Sequence, residues 1–451
     1  MFEASHECAR YPLAALLPGD GRLRRSLFLT LACGVGVLGA VFGGPLLSGA
    51  LFLLISGSSP SVPHDLADSY EPLHKGHIDL ATGLYVREDE DLVVRGTPAL
   101  VLRRTYLSGY RVSREFGIGT THNGELYLIG DGERFQWASL ILADGARIEF
   151  RRVSRGASFW NALYEHRATP TEFLDARLGW VGTGWAMRLS DGSVSRFQAC
   201  DPRTRRRCAL VQAIDSDGHR IDYRRAASGR LVRMETWPDR WIAFDYDPQH
   251  RIRRASASDS TGIAYAYDGA GRLSRVQSSE GTVRQYTYTD RDEMRTIVEP
   301  DVVIENTYDA NGRCIRQVNR FNDGTDPYTF EFAYRVKGRA IVQTDVTRSD
   351  GTWSRYTFSE RRHSMSEAWG HLGSETASFT YERDPATSMV TAVTVTCPDR
   401  AGRPLRHSSQ VRPGYEEWIK WDLMDTHCSS SEWTRRRRAL RTKANLTISP
   451  D

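Results

Sequence analysis

The sequence has few features of an enzyme or of a nucleic-acid-binding protein. Its 451 residues carry a formal net charge of only +4 at pH 7, so the charge balance does not imply a nucleic acid partner. No Gly-x-Ser-x-Gly motif is present, and Gly117 and Gly119 are too close together to form a phosphate-binding loop. We therefore predict a protein that is not an enzyme, with no cofactor, no metal site and no specific nucleic acid.

Cysteine is also sparse. The seven cysteines show neither a disulfide framework nor the paired spacing of a metal site. Only Cys200 and Cys208 lie close together, on either side of an arginine-rich loop. A disulfide between them would close a hairpin if the domain is exported. Two reduced thiols at strand ends are the alternative.

Sustained helical periodicity is absent between residues 72 and 395, which argues against a helical or mixed fold. Residues 159–165 are the one stretch that could form about two helical turns. Residues 88–91 are all acidic and could pair carboxylates for acid–base chemistry or calcium binding. Because no Asp-x-Asp-x-Asp-Gly loop accompanies them, we predict an exposed turn there.

One long hydrophobic run lies near the N-terminus. Residues 27–55 contain no charged side chain, and this length exceeds the roughly 20 residues that a membrane-spanning helix needs. Arginines precede the run and acidic residues follow it, so the positive-inside rule leaves the N-terminus in the cytoplasm. We expect a single-pass membrane protein with an exported C-terminal region, bound to membrane lipid through residues 27–55. A cleaved signal peptide and a secreted chain are the alternative.

The most regular feature is a ladder of tyrosines. Five tyrosines follow one another at intervals of 23, 21, 21 and 20 residues, and the series continues more loosely at Tyr334, Tyr356 and Tyr381. Spacing in this range is typical of repeat architectures. The five regular members are Tyr223, Tyr246, Tyr267, Tyr288 and Tyr308.

Each tyrosine ends an alternating segment and precedes a turn. Ile263, Tyr265 and Tyr267 alternate with other residues, which predicts a strand with one large apolar face. Aspartate and glycine follow, and both favour tight turns. One repeat, which we call a rung, is therefore predicted to be a strand, a turn and a returning strand in about 20 residues.

The rungs resemble the YD repeat, in which Tyr-Asp, a short turn, Gly-Arg and an apolar residue follow one another. The Tyr267 rung matches fully, whereas His250 replaces the glycine of the Tyr246 rung and Cys314 replaces the aliphatic residue of the Tyr308 rung. Tyr288 has lost most of its turn motif. The predicted structural residues of the motif are Tyr246, Asp247, Tyr267, Asp268, Gly271, Arg272, Tyr308, Asp309, Gly312 and Arg313.

On these motifs the chain resembles the rearrangement-hotspot (Rhs) and YD-repeat family. Residues 77–83, 88–92 and 100–106 resemble the β-domain of unknown function that often precedes such repeats. The resemblance implies a mainly β fold, in which antiparallel hairpins form a curved sheet or partial shell. It also implies a scaffold that encloses or presents a secreted toxin or mediates cell-surface contact. Its partner would be the toxin cargo or the remaining shell segment.

Two departures from the family modify this expectation. The rungs are too few to close a cavity alone, and no Asp-Pro-x-Gly cleavage motif is present. We expect the N-terminal part of a longer shell protein or a shortened relative. A carbohydrate-binding surface module is the alternative, and it requires the repeat aromatics to face solvent. A small toxin in the C-terminal tail is a third hypothesis.

The predicted organisation has seven segments. They are a cytoplasmic arm (1–25), a transmembrane helix or signal anchor (26–56), a linker (57–71), a pre-repeat β-domain (72–155), a connecting β region (156–204), the YD repeats (205–395) and an irregular basic tail (398–451).

Overall fold

The structure is a computed structural model. It describes residues 77–130, 135–143, 145–168, 171–199, 207–398 and 403–411, together with Ile419, Lys420, Leu423 and Cys428. The predicted arm, membrane segment and linker lie outside these residues and stay predictions. Within the described ranges, no helix is long and apolar enough to cross a membrane.

The first strands of the described chain form a small antiparallel sheet with the order β1-β2-β3-β6. Between β3 and β6 in the chain, β4 and β5, of two residues each, form a separate hairpin. We call the four-stranded unit the pre-repeat sheet. The bounds are β1 (His77–Ile78), β2 (Tyr85–Val94), β3 (Leu100–Leu107), β4 (Ser113–Arg114), β5 (Gly117–Ile118) and β6 (Thr120–His122).

Eight strands then close on themselves, because β14 pairs with both β13 and β7. Side chains such as Phe150, Tyr164 and Phe197 fill the interior of this ring and are buried. Its strands are β7 (Tyr127–Gly130), β8 (Trp137–Ile141), β9 (Arg147–Arg152), β10 (Leu163–Glu165), β11 (Arg177–Val181), β12 (Gly184–Arg188), β13 (Val194–Gln198) and β14 (Cys208–Ile214).

The helical turns considered for residues 159–165 are not formed. A single 3-10 turn covers Phe159–Asn161, and β10 follows directly. Because β10 lies between β9 and β11 in the ring, its backbone groups are used by strand pairing rather than by a helix.

The sheet continues from β14 hairpin by hairpin, with every neighbouring pair antiparallel. We call β15–β31 the repeat sheet. Its strands are β15 (Arg220–Arg225), β16 (Leu231–Thr236), β17 (Arg240–Tyr246), β18 (Ile252–Ala257), β19 (Gly262–Tyr267), β20 (Leu273–Ser278), β21 (Val283–Tyr288), β22 (Met294–Val298), β23 (Val302–Tyr308), β24 (Cys314–Phe321), β25 (Tyr328–Lys337), β26 (Ala340–Arg348), β27 (Thr352–Phe358), β28 (Ser364–His371), β29 (Ser374–Arg383), β30 (Val390–Pro398) and β31 (Pro404–Gln410).

The mainly β fold of antiparallel hairpins is thus present. Alternation along each repeat strand buries one face, as in β19, where Ile263 and Tyr265 are buried while Ala264 and Ala266 are exposed. The pre-repeat sheet packs against this face, and both sheets contribute to one apolar core. The repeat sheet could not bury that face alone, since a twisted open sheet needs a second layer.

The C-terminal part of the described chain is more ordered than an irregular tail. Strand β31 lies inside the predicted tail and pairs with β30 over seven residues. Further along, Ile419, Leu423 and Cys428 pack against the buried face of the last strands. The sequence has no YD unit in residues 398–451, so the repeat motif could not predict this strand.

Candidate functional site

Each YD turn is held by its aspartate. In the Tyr267 rung, Oδ1 of Asp268 accepts the backbone N–H of Arg272 at 2.9 Å, and Oδ2 accepts Nε of the same arginine at 2.7 Å. Gly271 has a φ of +89°, in the left-handed region that a residue with a Cβ seldom adopts. Asp, Gly and Arg of the motif therefore act together to close one turn.

The same geometry recurs in the neighbouring rungs. Asp309 accepts the backbone N–H of Arg313 at 3.0 Å and its Nε at 2.7 Å, and Asp247 binds Arg251 in the same way at 2.8 Å each. Burial works against ionisation, but these hydrogen bonds hold the pKa of Asp309 below its usual value. The Asp309 carboxylate is therefore a charged partner of Arg313 at neutral pH.

The arginine also connects one rung to the next. The guanidinium of Arg251 lies 4.3 Å from the ring centre of Tyr267, and Arg272 lies 5.0 Å from that of Tyr288. Such cation–π contacts add attraction to the apolar packing. The Arg313 guanidinium covers the Tyr334 ring in the same manner, at 5.4 Å.

The tyrosine hydroxyl completes this connection. Tyr267 donates to the carbonyl of Ile252 at 2.6 Å, and Tyr288 donates to the carbonyl of Leu273 at 2.6 Å. Each acceptor is the residue just after the turn of the preceding rung, where it follows the motif arginine in every rung except that of Tyr288, in which Glu293 precedes Met294. The full set of donors is Tyr246, Tyr267, Tyr288, Tyr308 and Tyr334, with Leu231, Ile252, Leu273, Met294 and Cys314 as acceptors in that order.

The motif residues predicted from the sequence are thus brought together in a continuous row, which we call the rung ladder. Sequence reasoning had found their turns but not the contacts between successive rungs. Those contacts join residues about 15 positions apart, and only the strand register brings them within reach.

The Tyr288 rung has the same turn as the other rungs, although its sequence lacks the Asp and Gly of the motif. Thr289 occupies the aspartate position, its backbone N–H donating to the Glu293 carbonyl at 2.8 Å. Asp292 occupies the glycine position with a φ of +64°, and His250 does the same in the Tyr246 rung with +67°. Asp, Asn and His are the non-glycine residues most often found in this conformation, a signal that could have revealed the turn.

The pre-repeat sheet meets the ladder along its length. The residue that begins each returning strand, such as Ile252, Met294 or Cys314, sits at a register shift. Its N–H is accepted from outside the repeat sheet in several rungs. Ile252 N–H donates to the Glu115 carbonyl at 2.7 Å, Met294 N–H to the Tyr106 hydroxyl at 2.8 Å, and Cys314 N–H to the Gly83 carbonyl at 2.7 Å. We call these contacts the docking strip.

A buried ionic network lies beside the docking strip. Residues 88–91 are in strand β2, so the predicted exposed turn is wrong: alternation sends Asp89 and Asp91 to the buried face and Glu88 and Glu90 to solvent. Arg104 of β3 is fully buried and donates to both aspartates, at 3.0 Å to Asp89 and 2.9 Å to Asp91.

The network crosses between the two sheets. Tyr265 donates its hydroxyl proton to Asp91 at 2.9 Å, Arg104 donates to the Tyr286 hydroxyl at 3.1 Å, and Arg284 lies 3.0 Å from Asp89. Burial opposes charge on Asp89, but the neighbouring guanidinium groups, that of Arg104 first, hold its pKa well below the usual range. The network is therefore an ionic contact between the pre-repeat sheet and the repeat sheet.

Among the described residues, two groups of side chains have the composition of metal sites, and one of them is largely buried. His122 and Glu115 lie 2.9 Å apart, and Arg114 donates to Glu125 at 3.0 Å. The backbone N–H of Gly124 donates to Nδ1 of His122, so the ring proton is on Nε2 and faces Glu115. In this arrangement His122 accepts from Gly124 through Nδ1 and donates to Glu115 through Nε2, so the two residues form an acid–histidine pair.

The described cysteines differ in state. Cys397 and Cys428 form a disulfide, and Cys208 is also disulfide-bonded. Cys200 lies outside the described residues, so its pairing with Cys208 stays a prediction. Cys314 is free, and burial raises the pKa of its thiol to about 12.

Residues 75–150 match the family model of a domain of unknown function (DUF6531). DUF6531 in this chain thus spans the pre-repeat sheet and the first strands of the closed ring. It contributes the residues of the ionic network on β2 and β3 and the acceptors of the docking strip. No curated protein sequence matches the chain.

Solved structures of low similarity include crystal structures of TcdB2-TccC3-Cdc42 (10% identity, TM-score 0.35) and of TcdB2-TccC3 (12%, 0.36), each covering 73% of this chain. A Photorhabdus luminescens Tc holotoxin pore aligns over 75% of this chain with 10% identity and a TM-score of 0.27. This chain spans 23%, 22% and 20% of those chains. At such scores the likeness decides nothing about function.

Proposed function

We propose that this protein is a non-enzymatic scaffold of the YD-repeat type, forming part of a shell that encloses or presents a secreted effector or mediates cell-surface contact. One observation carries the proposal. In the rung ladder, the motif aspartate and arginine close each turn, and the motif arginine and tyrosine connect successive hairpins. A motif that extends a sheet by identical steps suits a wall better than a reaction site.

The chain's partner in this proposal is a cargo or a further shell segment. DUF6531 covers the buried face of the first repeat strands, so it would start the wall and leave later hairpins to extend it. The disulfide between Cys397 and Cys428 favours an oxidising compartment, since such bonds persist mainly in exported proteins. Export across a membrane, with residues 27–55 as anchor, belongs to the same proposal.

The carbohydrate-binding alternative requires a solvent-facing row of repeat aromatics. Phe244, Tyr265 and Tyr286 are instead buried against the pre-repeat sheet. The hydroxyls of the YD tyrosines donate hydrogen bonds to backbone carbonyls. Burial of these rings therefore supports the scaffold over the sugar-binding module.

Protease protection tests the scaffold proposal. The full chain would be co-expressed with the product of the adjacent downstream coding sequence, and the complex treated with a nonspecific protease. We expect the second protein to be cleaved at least ten-fold more slowly when bound than when free. The exposed-face variant Arg275→Ala serves as the control and should protect equally well.

Two results would count against the proposal. One is a downstream product that neither binds the chain nor gains protection. The other is a soluble full chain that binds insoluble polysaccharide with loss of binding in Trp160→Ala, because Trp160 is among the most exposed aromatic side chains. That result would favour the sugar-binding alternative.

A further inference from the structure

The outer wall of the closed ring has exposed apolar side chains at one end. Val153 directly follows β9, Trp160 lies in the 3-10 turn before β10, Leu163 is on β10 and Val181 is on β11. These four side chains, which we call the outer patch, are between 38% and 59% exposed. Exposed apolar groups that cluster in this way mark surfaces that contact a partner or a membrane.

Strand pairing brings the outer patch together. The Val153 N–H donates to the Leu163 carbonyl at 2.8 Å, and Leu163 is directly opposite Gly179, two residues before Val181. Alternation therefore places Val153, Leu163 and Val181 on the same outer face. Because Gly179 adds no side chain between Leu163 and Val181, the apolar surface is flat there.

Trp160 is held in position by aromatic packing. The ring centre of Phe159 lies 5.1 Å from that of Trp160 and 4.8 Å from that of Trp180 on β11. Trp160 is still 54% exposed, so the packed turn presents its ring to the surroundings. A tryptophan in such a place can bury a large apolar ring and keep its N–H for a polar partner.

Exposed arginines border the outer patch on the same face. Arg151 is two residues before Val153, and Arg177 and Arg188 are directly opposite each other on β11 and β12. Like charges in this arrangement repel, and Glu165, 3.2 Å from Arg177, offsets only part of the charge. The exposed arginines of this face, which we call the arginine row, are Arg151, Arg177, Arg188 and Arg196.

The outer face of β9–β13 is positively charged as a whole. By alternation these strands carry five outward arginines and two outward glutamates, namely Arg147, Arg151, Arg177, Arg188 and Arg196 against Glu149 and Glu165. A face that is apolar at one end and cationic beside it matches the boundary of an anionic bilayer. Tryptophan lies there at the level of the headgroups, and arginine contacts the lipid phosphates.

The position of the predicted anchor brings a bilayer within reach. Residues 27–55 form that anchor and the described chain begins at His77, so residues 56–76 lie between them. Fully extended, this segment spans about 70 Å. The ring and the sheet that begins at His77 contribute to one apolar core, so the anchor tethers both and raises the effective concentration of the ring at the membrane.

We propose that the outer patch and the arginine row bind the anionic surface of the membrane in which residues 27–55 are anchored. The outer patch lies at the acyl boundary, and the arginine row contacts lipid phosphates. This contact rests on the membrane anchor proposed above and adds a second membrane contact outside the repeats. High salt weakens it, because salt screens the attraction between arginine and phosphate.

Photo-crosslinking in reconstituted membranes tests the contact. The full-length chain would be reconstituted into vesicles of phosphatidylcholine and phosphatidylglycerol with a lipid that carries a diazirine in its acyl chain, and crosslinked peptides identified by mass spectrometry. Crosslinks in residues 27–55 report the anchor and serve as the internal standard. We expect crosslinks at Trp160 and Val181 as well. Their yield relative to the standard should fall about ten-fold when phosphatidylcholine is the only bulk lipid, because the arginines then lose their anionic partners.

Two pairs of variants separate this surface from exposed residues elsewhere. Trp160→Ala should lower the relative yield at Val181 about ten-fold, because a large apolar contact is lost. Trp237→Ala, which removes an 86% exposed tryptophan from a repeat turn, should leave that yield unchanged. Arg188→Gln should lower it roughly five-fold, the contribution of one arginine at an anionic surface. Arg275→Gln, on the exposed face of the repeat sheet, should not lower it.

The outcomes distinguish this contact from the anchor. Crosslinks in residues 27–55 without any at the outer patch would overturn the contact and leave the anchor in place. Crosslinks at the outer patch alone would support the contact and overturn the anchor, and crosslinks at neither place would overturn both. Equal relative yields in anionic and neutral vesicles would overturn the role of lipid phosphates.

Discussion

At the residue scale, the residues of the YD motif make two sets of contacts, one within a rung and one between neighbouring rungs. Aspartate and arginine close a turn within one rung, whereas arginine and tyrosine connect it to the next. The arginine belongs to both sets, which explains why a lysine would be a poor substitute: it has neither the fork nor the planar face.

Removing one ladder hydroxyl tests the second set. Tyr267→Phe should lower the free energy of unfolding by about 1 kcal/mol, because the hydroxyl bond to the Ile252 carbonyl is lost. Tyr328→Phe is the matched control, since its hydroxyl contacts Asp350 at an exposed site, and should cost less. Urea unfolding followed by fluorescence measures both. If both variants lost the same free energy of unfolding, the hydroxyl bond between rungs would not contribute to stability.

The two adjacent arginines of β3 offer a sharper comparison. Arg104→Met should destabilise the chain by about 3–5 kcal/mol, because it leaves Asp89 and Asp91 buried with less compensation. Arg103→Met, which breaks the exposed pair with Glu90, should cost about 0–1 kcal/mol. Thermal unfolding of the two variants checks the difference. A mild effect at Arg104 would mean that the network is dispensable.

At the scale of elements, DUF6531 and the repeats are joined by backbone as well as by side chains. Gly83 has a φ of +74°, and a Cβ there would approach the Cβ of Arg313 to 2.7 Å. Its carbonyl accepts the Cys314 N–H. This close approach belongs to the docking strip, so glycine is required for packing as well as for conformation.

A pair of glycine variants separates those two requirements. Gly83→Ala should destabilise the chain by more than the roughly 1 kcal/mol of a residue forced to positive φ, because packing adds to the strain. Gly218→Ala, with a φ of +88° and open space around it, should show the strain alone. Denaturant midpoints measure both, and equal losses would contradict a tight docking strip.

At the scale of the whole molecule, one sheet is stabilised by what covers it. DUF6531 covers the early repeat strands, and Ile419, Leu423 and Cys428 pack against the last ones. Deleting residues 77–130 should therefore expose Phe244, Tyr265 and Tyr286 together and cause association. Light scattering should show large species for this deletion, and a monodisperse monomer would refute the covering role of DUF6531.

Acid should weaken the molecule as a whole. The pKa values of Asp89, Asp268 and Asp309 are held below normal in the folded chain. A carboxylate with a lowered folded pKa stabilises the fold above its unfolded pKa of about 4 and loses that contribution as the pH falls further. Urea midpoints should thus be level between pH 7 and 5 and fall below about pH 4. Asp268→Asn should fall less steeply, and a flat wild-type profile down to pH 2 would contradict the assignment.

The sequence by itself determined the hairpin repeat, because period-two alternation and turn residues are local signals. It determined the residues of each YD turn for the same reason, and it missed the Tyr288 rung only where threonine and aspartate replaced the motif. The charged run at 88–91 was misinterpreted, because the partner of Asp89 and Asp91 is Arg104, on another strand. Only the tertiary structure decided the closed ring, the docking of DUF6531, the rung-to-rung contacts and the packing of Ile419, Leu423 and Cys428 against the last strands. Each of these depends on contacts between residues that are distant in sequence, and local sequence patterns do not specify such contacts.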